Sequence, residues 1–196
     1  LFEVTADHLD SGLRGVPVGT CRTSFVDPKK GVHYCGYPVA DLAEMDPEDV
    51  IFLLFEKRLP NRQEGQDFRH ELAQRASRMP AGALRVLESL TPGTGHPMDW
   101  LSIGIQALGV AETTGDVRAD GLNLISRMPE LMATIFRLRG GRGLPEVASE
   151  PELGMVENFV HLLGKEGVDG GAMTRTLRVF FVLHMDHGGG NLSTFT

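Results

Sequence analysis

The chain has 196 residues, 41% of them hydrophobic and 23% charged, which suits an ordinary globular chain of one domain, or one and a part, and excludes a disordered segment. A formal charge of −7 argues against the basic face that a nucleic-acid binder needs, and no run approaches the length of about eighteen apolar residues that spans a membrane. Cys21 and Cys35 are the only cysteines, with no C-x-x-C and no clustered metal ligands, so neither a disulfide framework nor a zinc ribbon is expected and a reducing cytoplasm or mitochondrial matrix fits best.

In chain order, the stretch VPVGTCRTSFVDPKKGVHYCGYPV carries short β-compatible runs around Val18 to Phe25 and Val32 to Tyr34, joined by the turn residues Asp27-Pro28-Lys29-Lys30-Gly31, a hairpin signal. After Asp41 the period becomes helical. Asp46 before Pro47, with Glu48 and Asp49 in the first turn, predicts a helix start in which the Asp46 carboxylate caps orphan amides and the acids complement the positive helix end. That helix should run to about Leu59, and its all-apolar middle, Val50 to Phe55, predicts deep burial. More polar, peripheral helices are expected over Glu64 to Arg78 and Ala81 to Leu90. Pro97 then starts a helix on which Met98, Leu101, Ile105 and Leu108 form a core-facing stripe. Further helices are expected over Asp120 to Arg139, Leu153 to Gly164 and Ala172 to His187, with Gly140 to Gly143 as the plainest break.

The chain closes on LHMDHGGGNLSTFT, Leu183 to Thr196. Met173, Leu177, Phe180 and Phe181 mark the buried side of the last helix, and His184 and His187 continue that stripe, so both imidazoles are expected to face inward on one helix face. Asp186 falls on a different face. The run Gly188-Gly189-Gly190 should end or distort the helix, because each glycine costs roughly 1 kcal/mol relative to alanine, and Asn191, Ser193 and Thr194 supply uncharged donors and acceptors beside the rings. Such a group can bind a carbonyl or a carboxylate. The plainer reading makes the histidines satisfied core residues. Zinc is poorly supported, since His184-Met185-Asp186-His187 lacks the four-residue spacing and intervening glutamate of a metalloprotease helix.

LHMDHGGGNLSTFT resembles the histidine-containing substrate segment of citrate synthases, in which an H-x-D-H pair precedes a glycine-rich stretch and N-x-S-x-x-T. Two other stretches agree in order and approximate spacing. Gly12 to Glu44 resembles the family's N-terminal hairpin segment, and HPMDWLSIGIQALG (His96 to Gly109) resembles its H-P-M-D helix. The resemblance implies a mainly all-α fold with a short N-terminal β-hairpin, made of part of the large helical domain and the start of the small one: residues 1–40 as the hairpin segment and 41–196 as an incomplete helical domain. It also implies a homodimer that condenses acetyl-CoA with oxaloacetate and water to citrate and CoA, with no resident cofactor and no metal. By the same resemblance His187 contacts oxaloacetate, Asn191 lies nearby, and His184 supports the site by hydrogen bonding. Arg137 to Arg142 resembles a family stretch in which no one arginine can be matched to a ligand, and surface charge is the simpler expectation.

Carbon–carbon bond formation from an acetyl methyl needs a carboxylate base, a donor for the enolate oxygen and a donor to polarise the ketone. In the family the base and the enol-stabilising histidine of an H-G-x-x-N segment lie downstream, and none of these motifs occurs here. No catalytic residue is therefore expected before Thr196. Both ends look cut, and the chain reads as roughly the N-terminal half of such an enzyme, inactive alone. Two alternatives stay open: 2-methylcitrate synthase, which uses propionyl-CoA, and a non-catalytic helical dimerisation or interaction module derived from a synthase. Hydrolase and nucleotide-binding readings have no support, as G-x-S-x-G, G-x-x-x-x-G-K and G-x-G-x-x-G after a strand are all missing.

Overall fold

The Asp27 carboxylate shapes the hairpin turn by accepting hydrogen bonds from the amides of Lys29 (2.7 Å) and Lys30 (2.8 Å), which holds its pKa below the usual carboxylate value. The computed structural model describes residues 5–7, 20–76, 78–164 and 168–186. The turn joins β1 (Ser24–Asp27) to β2 (Gly31–Tyr34) in antiparallel register, Ser24 opposite Tyr34 and Asp27 opposite Gly31. The hairpin is thus shifted a few residues from its sequence-based bounds, and residues 18 and 19 lie outside the described ones. A third strand, β3 (Tyr37–Pro38), follows through the two-residue turn Cys35-Gly36. Both turn residues have positive φ, 48° and 92°, the backbone twist that a tight hairpin of this kind requires.

Eight helices follow among the described residues: α1 (Val39–Leu42), α2 (Pro47–Glu56), α3 (Arg62–Arg75), α4 (Ala81–Glu88), α5 (Pro97–Glu112), α6 (Val117–Arg139), α7 (Met155–Leu163) and α8 (Val168–Leu183). The mainly helical fold with a small N-terminal sheet matches the sequence-based expectation. α2 is buried as its composition predicts, with Val50 and Leu53 fully inaccessible. It stops earlier than expected, because Lys57 turns left-handed at φ 63° and returns its amide to Leu53 O. Two capping boxes set other starts: Asn61 with Glu64 opens α3, and His96 with Asp99 opens α5. α6 runs through Pro129, which removes one helical donor and is tolerated inside a packed interior.

Two expectations are corrected. Asp46 does not cap α2 with its side chain; both carboxylate oxygens are taken instead by arginines, Oδ2 by Arg69 on α3 (3.0 Å) and Oδ1 by Arg178 on α8. An ionised donor makes a stronger partner for a carboxylate than a neutral amide. On α5 the inward line is Trp100, Gly104 and Leu108, whereas Met98 is 60% exposed. Gly104 sets that line by letting α6 come close, since a Cβ there would sit 2.6 Å from Leu131 Cδ1.

Three apolar clusters organise the interior. Met79, Leu87, Trp100, Leu131 and Ile135 join α4, α5 and α6. Ile51, Phe52, Phe68, Leu72 and Leu122 join α2, α3 and α6. Tyr34, Leu42, Val50, Leu53 and Val182 join the sheet to α1, α2 and α8, and this third cluster positions the end of α8.

Candidate functional site

α8 is held on its inward side by charge as much as by apolar contact. Arg178 donates from Nη1 to Glu157 Oε1 of α7 (2.8 Å) and from Nη2 to Asp46, and one helical turn on Val182 is fully buried. This Arg178–Val182 line faces the interior. The line read from the sequence points elsewhere: Phe180 is 53% and Phe181 40% exposed, and His184 is exposed as well. His184 therefore does not face inward as expected. The reason is that two carboxylates, Asp46 and Glu157, require a cation on the inner face of α8, which turns the phenylalanines out.

Nor is His184 on the helix. α8 ends at Leu183, five residues before the first of the three glycines, so the glycine run is not what stops it. At this end of α8 the fully buried hydroxyl of Tyr34 donates to Val182 O (3.0 Å) and accepts the amide of Asp186 (3.3 Å). Shorter-range bonds close the turn, from His184 N to Phe181 O (3.1 Å) and from Met185 N to Val182 O (3.5 Å). Burial pushes the Tyr34 phenol pKa up, against the lowering effect of its bonds with the Asp186 and Met185 amides, and keeps the hydroxyl protonated as a donor.

His184 Nδ1 lies 2.7 Å from Phe180 O, and its ring stacks on the Phe180 ring at 4.1 Å. A carbonyl oxygen only accepts, so Nδ1 carries the hydrogen, and in the neutral ring Nε2 is left as an acceptor. His187 and Asn191 lie outside the described residues.

Arg137 is not surface charge, whereas Arg139 makes its bonds at the surface and Arg142 is exposed. Arg137 is 7% exposed and donates to Leu144 O (3.1 Å), Arg142 O (3.3 Å) and Glu146 (2.9 Å), clasping the loop that follows α6. Arg139 reaches the carbonyls of Thr94 (2.7 Å) and Gly95 (2.8 Å) and lies over the Trp100 ring. A cavity of about 400 Å³ opens between α3, α6 and residues 144–151, away from the end of α8. Its innermost polar residue, Asn158, is already committed to Glu150 and Leu153. Among the described residues no group of three or more histidine, cysteine or acidic side chains could hold a metal ion, and no helix is long and apolar enough to cross a membrane.

Sequence reasoning missed Tyr34 and Arg178. Nothing near either residue announces a partner more than 100 positions away.

The family model described as "Citrate synthase, C-terminal domain" matches residues 12–196. The chain is 28% identical over 222 residues to the mitochondrial citrate synthase 4 of Arabidopsis thaliana, an alignment that takes in 100% of this chain and 45% of that protein. It is 29% identical over 215 residues to the mitochondrial 2-methylcitrate synthase of Aspergillus fumigatus, covering 97% of this chain and 46% of that one. The crystal structure of citrate synthase from Thermotoga maritima superposes with a TM-score of 0.78 at 28% identity, over 95% of this chain and 49% of that one. The chain thus spans about half the length of the curated relatives it matches.

Proposed function

The chain belongs to the citrate synthase family, and from that premise we propose that it forms one wall of the oxaloacetate site of an enzyme that condenses acetyl-CoA with oxaloacetate and water to citrate and CoA. The observation that carries this reading is the continuity of the family match from residue 12 to residue 196, through the hairpin, the His96 helix start and the histidine segment in order. His187 is the oxaloacetate contact and Asn191 lies beside it. His184 plays the supporting part, its Nδ1–H fixed on Phe180 O so that the ring has one tautomer and one orientation. Residues 1–40 serve as the hairpin segment and 41–196 as the helical domain of a homodimer in the cytoplasm or mitochondrial matrix, with acetyl-CoA as substrate and no resident cofactor.

The division of labour follows from the chemistry. Binding oxaloacetate lowers no barrier unless a base removes the methyl proton and donors meet the developing enolate and alkoxide charge. The base and enolate donor are expected outside this chain, so the 196 residues alone bind without turning over. Titration of the purified chain with oxaloacetate should shift the His187 imidazole resonances, and His187→Ala should abolish the saturable response of the neighbouring amides. The same chain mixed with acetyl-CoA and oxaloacetate should release no CoA above the uncatalysed rate. CoA release by the chain alone would overturn the assignment of the base to another part of the enzyme.

The similarity to a 2-methylcitrate synthase favours a second reading in which propionyl-CoA is the acyl donor. One methylene discriminates by only about 1 to 3 kcal/mol. Comparing kcat/KM for acetyl-CoA and propionyl-CoA on the full-length protein decides between them.

A further inference from the structure

Cys21 and Cys35 meet the same residue from two sides. Cys21 Sγ lies 3.2 Å from Thr23 Oγ1, while Cys35 Sγ lies 3.5 Å from Thr23 O, the carbonyl that also accepts the Cys35 amide at 2.7 Å. That amide bond carries the β1–β2 pairing one position past Ser24 and Tyr34, so Thr23 stands opposite Cys35. Opposed residues of an antiparallel pair have Cα atoms about 4.5 to 5.5 Å apart, and a disulfide spans about 4.4 to 6.8 Å, which leaves Cys21, two positions along, a short displacement from bonding range. Both cysteines line one cavity of about 240 Å³ together with Gly36 and Lys57. Cys21 is exposed and lies three residues before β1, in neither strand nor helix, so its approach to Cys35 breaks no ladder bond. Cys35 is half-buried, its Sγ also 3.5 Å from Leu53 O on α2. Burial pushes the Cys35 thiol pKa up, and the Lys57 ammonium acts against that by favouring the thiolate.

We propose that Cys21 and Cys35 are a reversible dithiol/disulfide pair, a modification site on the N-terminal hairpin that exchanges with small disulfides of the glutathione class. The exposed Cys21 thiolate attacks one sulfur of oxidised glutathione, the S–S bond breaks, and one glutathione thiolate leaves. The Cys35 thiolate then attacks the Cys21 sulfur of the mixed disulfide and expels the second glutathione. The protein thiols give up their protons, two electrons pass to the glutathione disulfide, and the chain becomes lighter by two hydrogens. The bond ties the segment before β1 to the Cys35-Gly36 turn and closes residues 21–35 into a loop. Closing a loop of about fifteen residues removes enough unfolded-state freedom to slow opening of the hairpin about a hundredfold. In a reducing compartment such a bond is transient and reports the redox state, unlike a structural disulfide. Neither the fold nor the substrate-site reading depends on these sulfurs.

The test incubates the 196-residue chain with reduced or oxidised glutathione, quenches it with N-ethylmaleimide and weighs it by mass spectrometry. Oxidised glutathione should remove two hydrogens and leave no thiol for the maleimide, and dithiothreitol should restore both thiols. Trypsin should then release residues 15–22 joined to residues 31–57, because Arg22, Lys29 and Lys30 separate the two cysteines. Closure should be faster in the folded chain than in urea, since the fold holds both sulfurs against Thr23. Cys35→Ser should stop at the mixed disulfide on Cys21. By hydrogen exchange, the Cys35 amide should slow roughly a hundredfold on oxidation. A wild-type chain that also stops at the Cys21 mixed disulfide, a disulfide joining two chains, or closure no faster folded than unfolded would overturn the pair. Joined peptides with unchanged exchange at Cys35 would overturn the claim that the bond holds the hairpin closed.

Discussion

Glu48 caps a helix that lies 107 residues away in sequence. Its Oε1 accepts the amide of Met155 at 2.6 Å at the start of α7, where Gly154 has no side chain of its own to offer. Glu48 as a whole is 4% exposed, and burial raises its pKa above the ordinary 4.5, opposed by the Met155 amide and reinforced by the charges of Glu157 and Asp46. A raised folded-state pKa means that the native state holds a proton which the unfolded chain has released. The stabilisation is complete below the unfolded value and disappears as pH rises through the folded one. Glu48→Gln keeps an acceptor for Met155 and cannot ionise, so its melting temperature should exceed that of the wild type by a few degrees at about pH 8, and the gap should close on acidification to about pH 4. Melting curves across that range check it. A gap that widened toward acid would contradict the sign. The sequence marks Glu48 only as a first-turn acid and Asp46 as a cap. In the fold both carboxylates work on other helices, because their partners, Met155 and Arg178, arrive from the far end of the chain.

Element positions were largely legible: caps, prolines and apolar periodicity place all seven predicted helices within a few residues of their observed bounds. Faces were less so. On α5 the apolar count favours Met98, Leu101 and Ile105, yet the helix turns by the packing of Gly104 against Leu131. Absence of a side chain carries no weight in a hydrophobic pattern, and that is why the stripe was misread. Gly104→Ala should cost about 1 to 3 kcal/mol from overpacking, against which alanine's better helix propensity returns only about 1. In a Leu131→Ala background the clashing methyl is gone, and the same substitution should be neutral or stabilising in chemical denaturation. Equal penalties in both backgrounds would mean that the contact does not set the approach of α5 and α6. For α8 the misleading signal was the opposite one, two phenylalanines that sit outside and an arginine that sits within.

At the scale of the whole molecule, the candidate site was legible as a segment and not as a geometry. The order of three motifs identified the family, but the orientation of His184 depends on Tyr34, Asp46 and Glu157, and neither Asp46 nor Glu157 belongs to those motifs. The same orientation leaves Phe180, Phe181 and Leu183 exposed together at the end of α8. Such a patch should bind a hydrophobic dye and favour self-association of the purified chain. Phe181→Ser should reduce dye fluorescence and light scattering while changing stability by no more than about 1 kcal/mol; unchanged scattering would place the adhesive surface elsewhere. The bond from Tyr34 to the end of α8 also has a history in time. Tyr34 and Val182 are 148 residues apart, so at about 5 to 20 residues per second the ring waits on the order of ten seconds during synthesis for its partner to emerge. Until then Leu42, Val50 and Leu53 gather around a phenol whose hydroxyl has only water to bond. The corner of the fold that joins the sheet to α8 therefore closes late on the ribosome and stays open to a chaperone while it waits.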